Sequence, residues 1–294
     1  MTNTEMKKYL KNMDHEKLEG LLLEMFKNQP KDRKEVFEIT VVNYNEGKEL
    51  PAKDAAIPYF KKIQKKLEFV LSKTIYSYRY IRPATKRKVK EYLSEIQSAL
   101  MAVPPQSKEF DKACHYMLSF LVVVEQIDED RSLYYLNIYS GLKGDEESLF
   151  RSVLTKFMSG GLSMERIKQL ASFGRLPQIE SHLKAMQLME ILISLFKVGD
   201  TRCEFMEQLE SILAQLKDSQ SQDARSHNTF LLQRTGMLYL LCAEKELGFD
   251  AALKELEHRT SEPVFRMIVH TYEAWKKQMD QEEYLRMKEA SLAD

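Results

Sequence analysis

The sequence predicts an all-α protein whose antiparallel helical hairpins pack as a bundle or as an α-superhelix. Apolar residues recur at helical spacing along nearly the whole chain. Helix-capping residues, prolines or glycines separate the periodic segments at intervals of about 10 to 20 residues. The 294 residues also include only 10 Gly and 8 Pro, which is few for a β-rich fold with its many turns.

The N-terminal segments supply the first predicted helices. One helix of about 13 residues follows Asp14, a good N-cap residue, and ends before Pro30. Its apolar residues fall on one face, namely Leu18, Leu22, Met25 and Phe26. Residues 36–43 fit both an alternating strand and a helix, and we predict a helix because a lone strand would lack a pairing partner.

Two more helices are predicted before residue 102. Residues 58–72 place their apolar side chains within an arc of about 120°, comprising Tyr59, Phe60, Ile63, Leu67, Val70 and Leu71. Pro83 suits the first turn of a helix that runs to Met101. The segment 102–107, AVPPQS, is the best candidate for a linker, since its two adjacent prolines cannot continue a helix.

The remaining chain repeats the pattern of helix, short turn and helix. Predicted helix starts are Ser107, Asp145, Ser163, Pro177 and Thr201, the last through a capping box with Glu204. The polar tract 218–228 is either a loop or the exposed start of a further helix, which Gly248 ends. Ser261 and Pro263 begin the final helix.

The charge of the chain sums to zero but is unevenly distributed. Residues 1–100 contain 21 Lys or Arg and 14 Asp or Glu, a surplus of +7, and the totals of 44 each leave −7 for residues 101–294. We therefore predict a basic helical lobe of residues 1–101 and an acidic helical-hairpin lobe of residues 107–294, either separate or joined as one continuous domain. Such asymmetry indicates an interaction surface or two mutually complementary lobes.

Cysteine content and hydropathy favour a reducing cytoplasm. The three cysteines are far apart and form no C-x-x-C pair, so neither a disulfide framework nor a thiolate metal site is indicated. The N-terminus lacks the apolar run of a signal peptide. The longest nearly apolar run, residues 117–124, is less than half of the roughly 18 residues that a membrane span needs. We expect a cytoplasmic protein that does not contact a membrane.

Signatures of catalysis and cofactor binding are mostly absent. No glycine occurs in a G-x-G, and no G-x-S-x-G is present, which argues against the usual phosphate-binding loops and hydrolase elbows. Cys114 beside His115 is interpreted as a buried thiol next to an outward imidazole. Three histidine–carboxylate pairs are interpreted as polar helix faces: His15 with Glu16, Glu255 with His258, and His270 with Glu273. We predict no cofactor, no metal and no enzymatic activity.

The strongest functional candidate is the stretch 61–90, which holds eleven Lys or Arg against one acid. Several of these cations occupy the first turns after Pro83, where the helix dipole disfavours positive charge. Tyrosines interleave with arginines between residues 76 and 82, a mix that can stack on bases and neutralise phosphates. The candidate residues for binding an anion or a partner are Lys61, Lys62, Lys65, Lys66, Arg79, Tyr80, Arg82, Lys86, Arg87 and Lys90.

The N-terminal region contains the segment MDHEKLEGLLLEMFKN at 13–28, then the basic helix, then YIRPATKRKVKEYL at 80–93. In this order the segments resemble an uncharacterised family of bacterial all-helical proteins. The resemblance covers at most the first hundred residues. It implies a bacterial source and a helical fold, and it implies no activity.

The segment 230–263 resembles a single tetratricopeptide unit. Gly236 and Tyr239 keep the Gly-x-x-Tyr spacing of that family, and Pro263 closes the second helix, whereas Leu232 stands where Trp is usual. The resemblance implies a helical hairpin in which Gly236 lies where two helices approach closely. A superhelix built from such hairpins would be of the tetratricopeptide or HEAT type.

Three interpretations of the stretch 61–90 remain open. In the first it has a structural role, either as a solvated helix face or by pairing within the chain, for example with the acidic half. In the second it contacts a protein partner, and in the third it binds nucleic acid. The sequence predicts a non-enzymatic helical scaffold that presents a surface to another protein. Binding of nucleic acid or another polyanion through residues 61–90 is the alternative.

Overall fold

The computed structural model describes residues 2–74, 82–129, 137–218 and 225–293, and these residues contain helices and no strands. The thirteen α-helices are α1 (Asn3–Lys11), α2 (His15–Lys27), α3 (Lys34–Asn45), α4 (Phe60–Thr74), α5 (Pro83–Met101), α6 (Phe110–Glu129), α7 (Glu146–Met158), α8 (Met164–Phe173), α9 (His182–Ser194), α10 (Gly199–Asp218), α11 (Arg225–Leu247), α12 (Phe249–Arg259) and α13 (Glu262–Ala293). A 3-10 turn covers Ile138–Gly141. The predicted all-α fold class is confirmed.

Most of the predicted helix starts are confirmed by their caps. Asp14, Asp145 and Ser163 each accept a hydrogen bond from a backbone N–H in the first turn of the helix that follows. The ambiguous residues 36–43 lie inside α3, so the helix predicted there is correct.

Three predicted starts are wrong, and so is one predicted core residue. α6 begins at Phe110, after two further residues of turn, instead of directly after Ser107. α9 begins after Ser181 instead of at Pro177, because Leu176 adopts a left-handed backbone with φ of 47° and turns the chain before the helix can start. α10 already begins at Gly199, which places Thr201 inside its first turn instead of at the N-cap. Tyr59 precedes α4 and is exposed, whereas the prediction placed it inward.

The helices pack mainly against neighbours in the chain. α4 and α5 form a hairpin that covers α6, α6 leads to α7, and α7 packs on α9. α9, α10, α12 and α13 then surround α11. Among the described helices, α2 packs mainly on α3, at the N-terminal periphery of this arrangement.

α11 is the central helix of the C-terminal half. Every residue from Leu232 to Ala243 is buried, so the helix has no solvent-facing side over more than three turns. The buried set includes Arg234, whose Nη2 donates hydrogen bonds to the carbonyl oxygens of Ile179 at 2.6 Å, Glu180 at 3.3 Å and Ser181 at 3.3 Å. A cation thus fixes the segment that precedes α9 to the centre of the molecule.

Gly236 allows the helices around α11 to approach closely. A Cβ atom built at this position would overlap Cδ1 of Ile268 on α13 and would lie 3.4 Å from Cδ1 of Leu256 on α12. The close approach predicted for Gly236 is confirmed, and α13 makes the tightest contact.

The predicted linker 102–107 is non-helical but packed. Val103 is fully buried and Ser107 nearly so. Glu35 of α3 accepts hydrogen bonds from Ser107 Oγ and from the backbone N–H of Lys108, both at 2.8 Å. One buried apolar cluster extends from Phe60 in α4 to Trp275 in α13, so the core includes side chains from both predicted lobes.

None of the helices in the described part of the chain is both long and apolar enough to cross a membrane.

The close packing at Gly236 predicts a stability change that a second substitution relieves. We expect Gly236→Ala to lower the free energy of unfolding by about 1 to 3 kcal/mol through overpacking. Combining it with Ile268→Val, which removes the overlapping methyl group, should recover part of that loss relative to the sum of the two single effects. Urea denaturation of the four species measures both quantities.

Gly20→Ala is the matched control, because no atom lies within 4 Å of a Cβ at this position in α2. It should leave stability unchanged or raise it by up to about 1 kcal/mol through helix propensity. Equal destabilisation by Gly236→Ala and Gly20→Ala would contradict the close-approach argument.

Candidate functional site

The basic hairpin of α4 and α5 has an antiparallel register that its side-chain contacts define. Lys66 pairs with Glu95, and the ring of Phe69 lies against that of Tyr92. The two helices therefore run in opposite directions. Residues 61–66 of α4 lie opposite the C-terminal half of α5, and the end of α4 lies opposite the start of α5.

A pair of aromatic rings lies in the groove between these two helices. Phe69 and Tyr92 are edge to face, with centroids 5.3 Å apart. Lys73 Nζ lies 4.9 Å from the Phe69 centroid, and Lys88 Nζ lies 5.2 Å and 5.4 Å from the centroids of Phe69 and Tyr92. Lys66 Nζ also lies over Tyr92, at 5.2 Å. Three of the cations are thus held by the hairpin's own rings.

Lys73 and Lys88 were not among the predicted site residues. Lys73 contacts a ring one turn before it in α4, and Lys88 contacts a ring one turn after it in α5. The contact of Lys88 with Phe69 on the facing helix depends on the hairpin register. The sequence contained a usable signal, since Lys73 and Phe69 lie four residues apart, as do Lys88 and Tyr92.

The predicted site residues do not share a single face. Lys90 Nζ donates to Ser140 Oγ at 2.7 Å beside the 3-10 turn, on the flank of α5 away from α4, and Lys86 lies one helical turn before it. The side chains of a further set form no hydrogen bond and no ion pair with described residues: Lys61, Lys62, Lys65, Arg82, Lys86 and Arg87. Arg79 and Tyr80 lie outside the described residues.

Pairing between this stretch and the acidic half of the chain was one interpretation of its charge. Within the described ranges, Lys66 is the one member of the stretch that forms an ion pair, and its partner Glu95 belongs to α5. No acid described in residues 107–294 pairs with a cation of residues 61–90. The charge on the outer side of α4 is accordingly not neutralised by the C-terminal helices.

A second surface, which the sequence interpretation did not single out, lies on α1, α2 and α3. α2 contains no buried residue although its sequence is rich in leucine. We call the exposed large apolar side chains of these helices the N-terminal apolar surface: Met6, Tyr9, Leu21, Leu22, Leu23, Met25, Val41, Val42 and Tyr44. Most of the exposed large apolar side chains in the described part of the chain belong to it.

The exposure of α2 follows from how α3 packs. α3 turns Val36 and Asn43 towards the core, and Asn43 donates to the carbonyl oxygen of Glu49 at 2.7 Å. α2 contacts the outer side of α3, where the rings of Phe26 and Phe37 have centroids 6.1 Å apart. No further described helix covers the remaining apolar side of α2. The amphipathic pattern was recognised in the sequence, but the pattern alone does not say what covers it.

A partly buried ionic cluster ties three helices together near the end of α6. Lys184 Nζ of α9 lies 3.2 Å from Glu125 Oε2, 2.8 Å from Asp128 Oδ2 and 2.8 Å from Glu146 Oε1 at the start of α7. Oxygen atoms of the three carboxyl groups lie within 4.8 Å of one another, a spacing that could hold a metal ion. The Lys184 ammonium already supplies positive charge to the group.

The electrostatics of this cluster depend on Glu125, which is only 2% exposed. Burial, and then the neighbouring Glu146 carboxylate, raise the pKa of Glu125 to about 8 from its usual value of 4.5, against the opposing influence of Lys184. Glu125 Oε2 lies within ion-pair distance of Lys184 but outside hydrogen-bonding geometry. Glu125 therefore retains a proton over a pH range in which exposed glutamates are ionised.

Two of the three thiols, Cys114 and Cys242, are buried, and Cys203 is exposed. Cys114 is fully buried, as predicted, and its Sγ lies 3.8 Å from the carbonyl oxygen of Phe157. Burial raises the pKa of Cys114 to about 11 and that of Cys242 to about 12, so both thiols are protonated at neutral pH. His115 points away from Cys114 and is exposed.

Comparisons with known proteins were made for the whole chain. No family model, no curated protein and no solved structure matches it. The functional interpretation rests on the geometry and chemistry of this chain.

The ionic cluster predicts a specific dependence of stability on pH. Between about pH 4.5 and pH 8 the folded state holds a proton on Glu125 that the unfolded state has released. The free energy of unfolding should therefore fall as pH rises through this window, by at most about 1.4 kcal/mol per pH unit from this group. Glu125→Gln should remove that slope and be more stable than the wild type near pH 8. Urea denaturation at a series of pH values measures this.

Glu257→Gln, at an exposed position of α12, is the control and should keep the wild-type slope. Identical slopes for the wild type and Glu125→Gln would show that Glu125 does not titrate in this window.

Proposed function

We propose that this protein is a non-enzymatic helical scaffold and that its N-terminal apolar surface holds another protein. The observation that carries the proposal is α2, a leucine-rich helix with no buried residue. Contiguous exposed apolar side chains are uncommon on monomeric proteins and mark interaction sites. Burying a large apolar side chain contributes about 1.5 to 3 kcal/mol, so several leucines together supply a strong driving force for association.

The composition of the surface suits protein recognition. It combines leucines with Met25 and two tyrosines, Tyr9 and Tyr44, which are residue types found at the energetic centres of interfaces. Two exposed ion pairs lie at the ends of α2, Lys17 with Asp14 and Lys27 with Glu24. An apolar centre with a polar rim is the usual organisation of a protein–protein interface.

The surface is attached to the scaffold by defined contacts. Val36 of α3 is buried, and Glu35 accepts hydrogen bonds from the segment that leads into α6. α3 therefore connects the N-terminal apolar surface to the core, and α2 is displayed on its outer side. A partner with an apolar helix or sheet face is the class of protein that complements it.

Substitution of exposed leucines separates binding from folding. Leu22→Lys and Met25→Lys should leave the melting temperature nearly unchanged, because both side chains are already exposed. Each should weaken partner binding by at least about tenfold, since a charge would enter an apolar interface. Cross-linking in the source cells followed by affinity purification and quantitative mass spectrometry measures how much partner protein each variant recovers. Light scattering of the purified chain shows whether the partner is a second copy.

Val198→Lys is the matched control, an exposed valine remote from α2 that should leave partner recovery unchanged. A large drop in the melting temperature of Leu22→Lys would mean that α2 packs within the chain. Unchanged partner recovery in both α2 variants would reject the proposed surface.

Polyanion binding is a second candidate function, supported by the unpaired cations on the outer side of the basic hairpin. Lys61, Lys62 and Lys65 are exposed on α4, and Arg82 and Arg87 are exposed at the start of α5. The rings of Phe69 and Tyr92 are already covered by ammonium groups. We infer that such binding would depend on neutralising phosphates, with little contribution from base stacking.

This second candidate predicts a salt effect. For a short DNA duplex, the triple variant Lys61→Gln, Lys62→Gln, Lys65→Gln should flatten the slope of log affinity against log salt by up to about 0.9 for each phosphate that the variant no longer neutralises. The control removes the same charge at Lys168, Lys197 and Lys254, which are exposed elsewhere. Absence of binding by the wild type at low salt, or equal effects of the two triple variants, would reject it.

A further inference from the structure

A cleft of about 740 Å³ lies between α6 and the segment that joins α8 to α9. Leu118 and Val122 of α6 form one apolar wall, and Phe173 and Pro177 form another. This volume lies within the range of pockets that hold small organic molecules. The cleft is separate from both the basic hairpin's outer side and the N-terminal apolar surface.

Two glutamine amides line this cleft without hydrogen-bond partners among the described residues. Both amide atoms of Gln178, Oε1 and Nε2, are buried and unbonded, and so is Oε1 of Gln169. Buried polar atoms in folded proteins are nearly always hydrogen-bonded, so unsatisfied ones require an explanation. All three atoms belong to residues of the cleft wall and lie just beneath its surface, and Gln178 offers a donor and an acceptor side by side.

The cleft also contains a half-buried cation. Arg175 donates from Nε to the carbonyl oxygen of Ser172 at 3.2 Å and from Nη2 to Ser172 Oγ at 3.0 Å. It forms no ion pair with a described acid, and burial lowers its pKa. None of the residues that line the cleft is acidic. The cleft therefore favours a negatively charged group.

The backbone that carries these groups is held in one conformation. Leu176, between Arg175 and Pro177, is fully buried with φ of 47°, a conformation that non-glycine residues seldom adopt. A Cβ at Gly174 would lie 2.7 Å from Leu192 Cδ2, so α9 packs directly against this turn. Backbone strain of this kind persists only where the surrounding packing enforces it, and it clusters at binding sites.

We propose that this cleft binds a small organic anion that has an apolar body and an amide-like edge. The Arg175 guanidinium would receive the carboxylate or phosphate. The buried Gln178 amide would turn into the cleft and pair with a donor and an acceptor of the ligand. Leu118, Val122 and Phe173 would cover its apolar part. An N-acylated apolar amino acid is the simplest molecule that carries all three groups, and a pyrimidine mononucleotide carries a phosphate and an amide-like edge without the apolar body.

The test uses the full chain and defined probes. N-acetyl-L-leucine and uridine 5′-monophosphate are titrated by ligand-observed NMR, and we expect at least one to bind with a Kd below about 5 mM. N-acetyl-L-leucinamide, which lacks the anion, and 4-methylpentanoate, which lacks the amide, should bind at least about tenfold more weakly than N-acetyl-L-leucine. Binding of the leucine derivative alone identifies a carboxylate ligand, and binding of the nucleotide alone identifies a phosphate ligand.

Two variants locate the binding. Gln178→Met keeps the side-chain length without the amide, and Arg175→Gln removes the charge. Each should weaken binding of the better probe by at least about tenfold, whereas Gln215→Met on the exposed side of α10 should not. Because the Gln178 amide makes no hydrogen bond in the chain, Gln178→Met should not lower the melting temperature. Failure of both probes to bind, binding unchanged in both variants, or a lowered melting temperature in Gln178→Met would overturn the proposal.

Discussion

The burial of every residue from 232 to 243 in α11 is the constraint on which the C-terminal half of the structure depends. A helix without a solvent-facing side needs neighbours all round, and α9, α10, α12 and α13 supply them. Arg234 makes this arrangement specific, because its guanidinium has to reach the carbonyl oxygens of residues 179–181 from a fully buried position. Those carbonyl groups directly follow Gln178. The hydrogen bonds of α11 therefore also help to place the cleft.

α2 and α11 show how similar composition leads to opposite outcomes. Both are rich in leucine, yet residues 232–243 of α11 are all buried and α2 has no buried residue. The difference lies in the neighbouring helices, since α11 packs on four of them and α2, among the described helices, packs mainly on α3. Apolar surface on a helix that the core does not use is free to drive association with another molecule. The scaffold and the surface thus have separable roles, one in stability and the other in binding.

The sequence predicted the fold class and most helix ends, because caps such as Asp145 and Ser163 act through local hydrogen bonds. It failed at Pro177, where packing of Leu176 into the core enforces a left-handed turn that local preference disfavours. The basic hairpin was found from composition, but the contact of Lys88 with Phe69 depends on interhelical register. The cleft was beyond prediction, since only tertiary packing brings Gln178 near α6.

The central claim is that α11 organises a stable scaffold whose integrity does not depend on α2. Amide hydrogen exchange of the purified chain, measured by mass spectrometry, tests it most directly. Amides of residues 232–243 should exchange only through global unfolding. Those of residues 18–27 should exchange at least about 100-fold faster in the chain alone. Equal protection of the two segments would contradict the account, because α2 would then belong to the cooperative core.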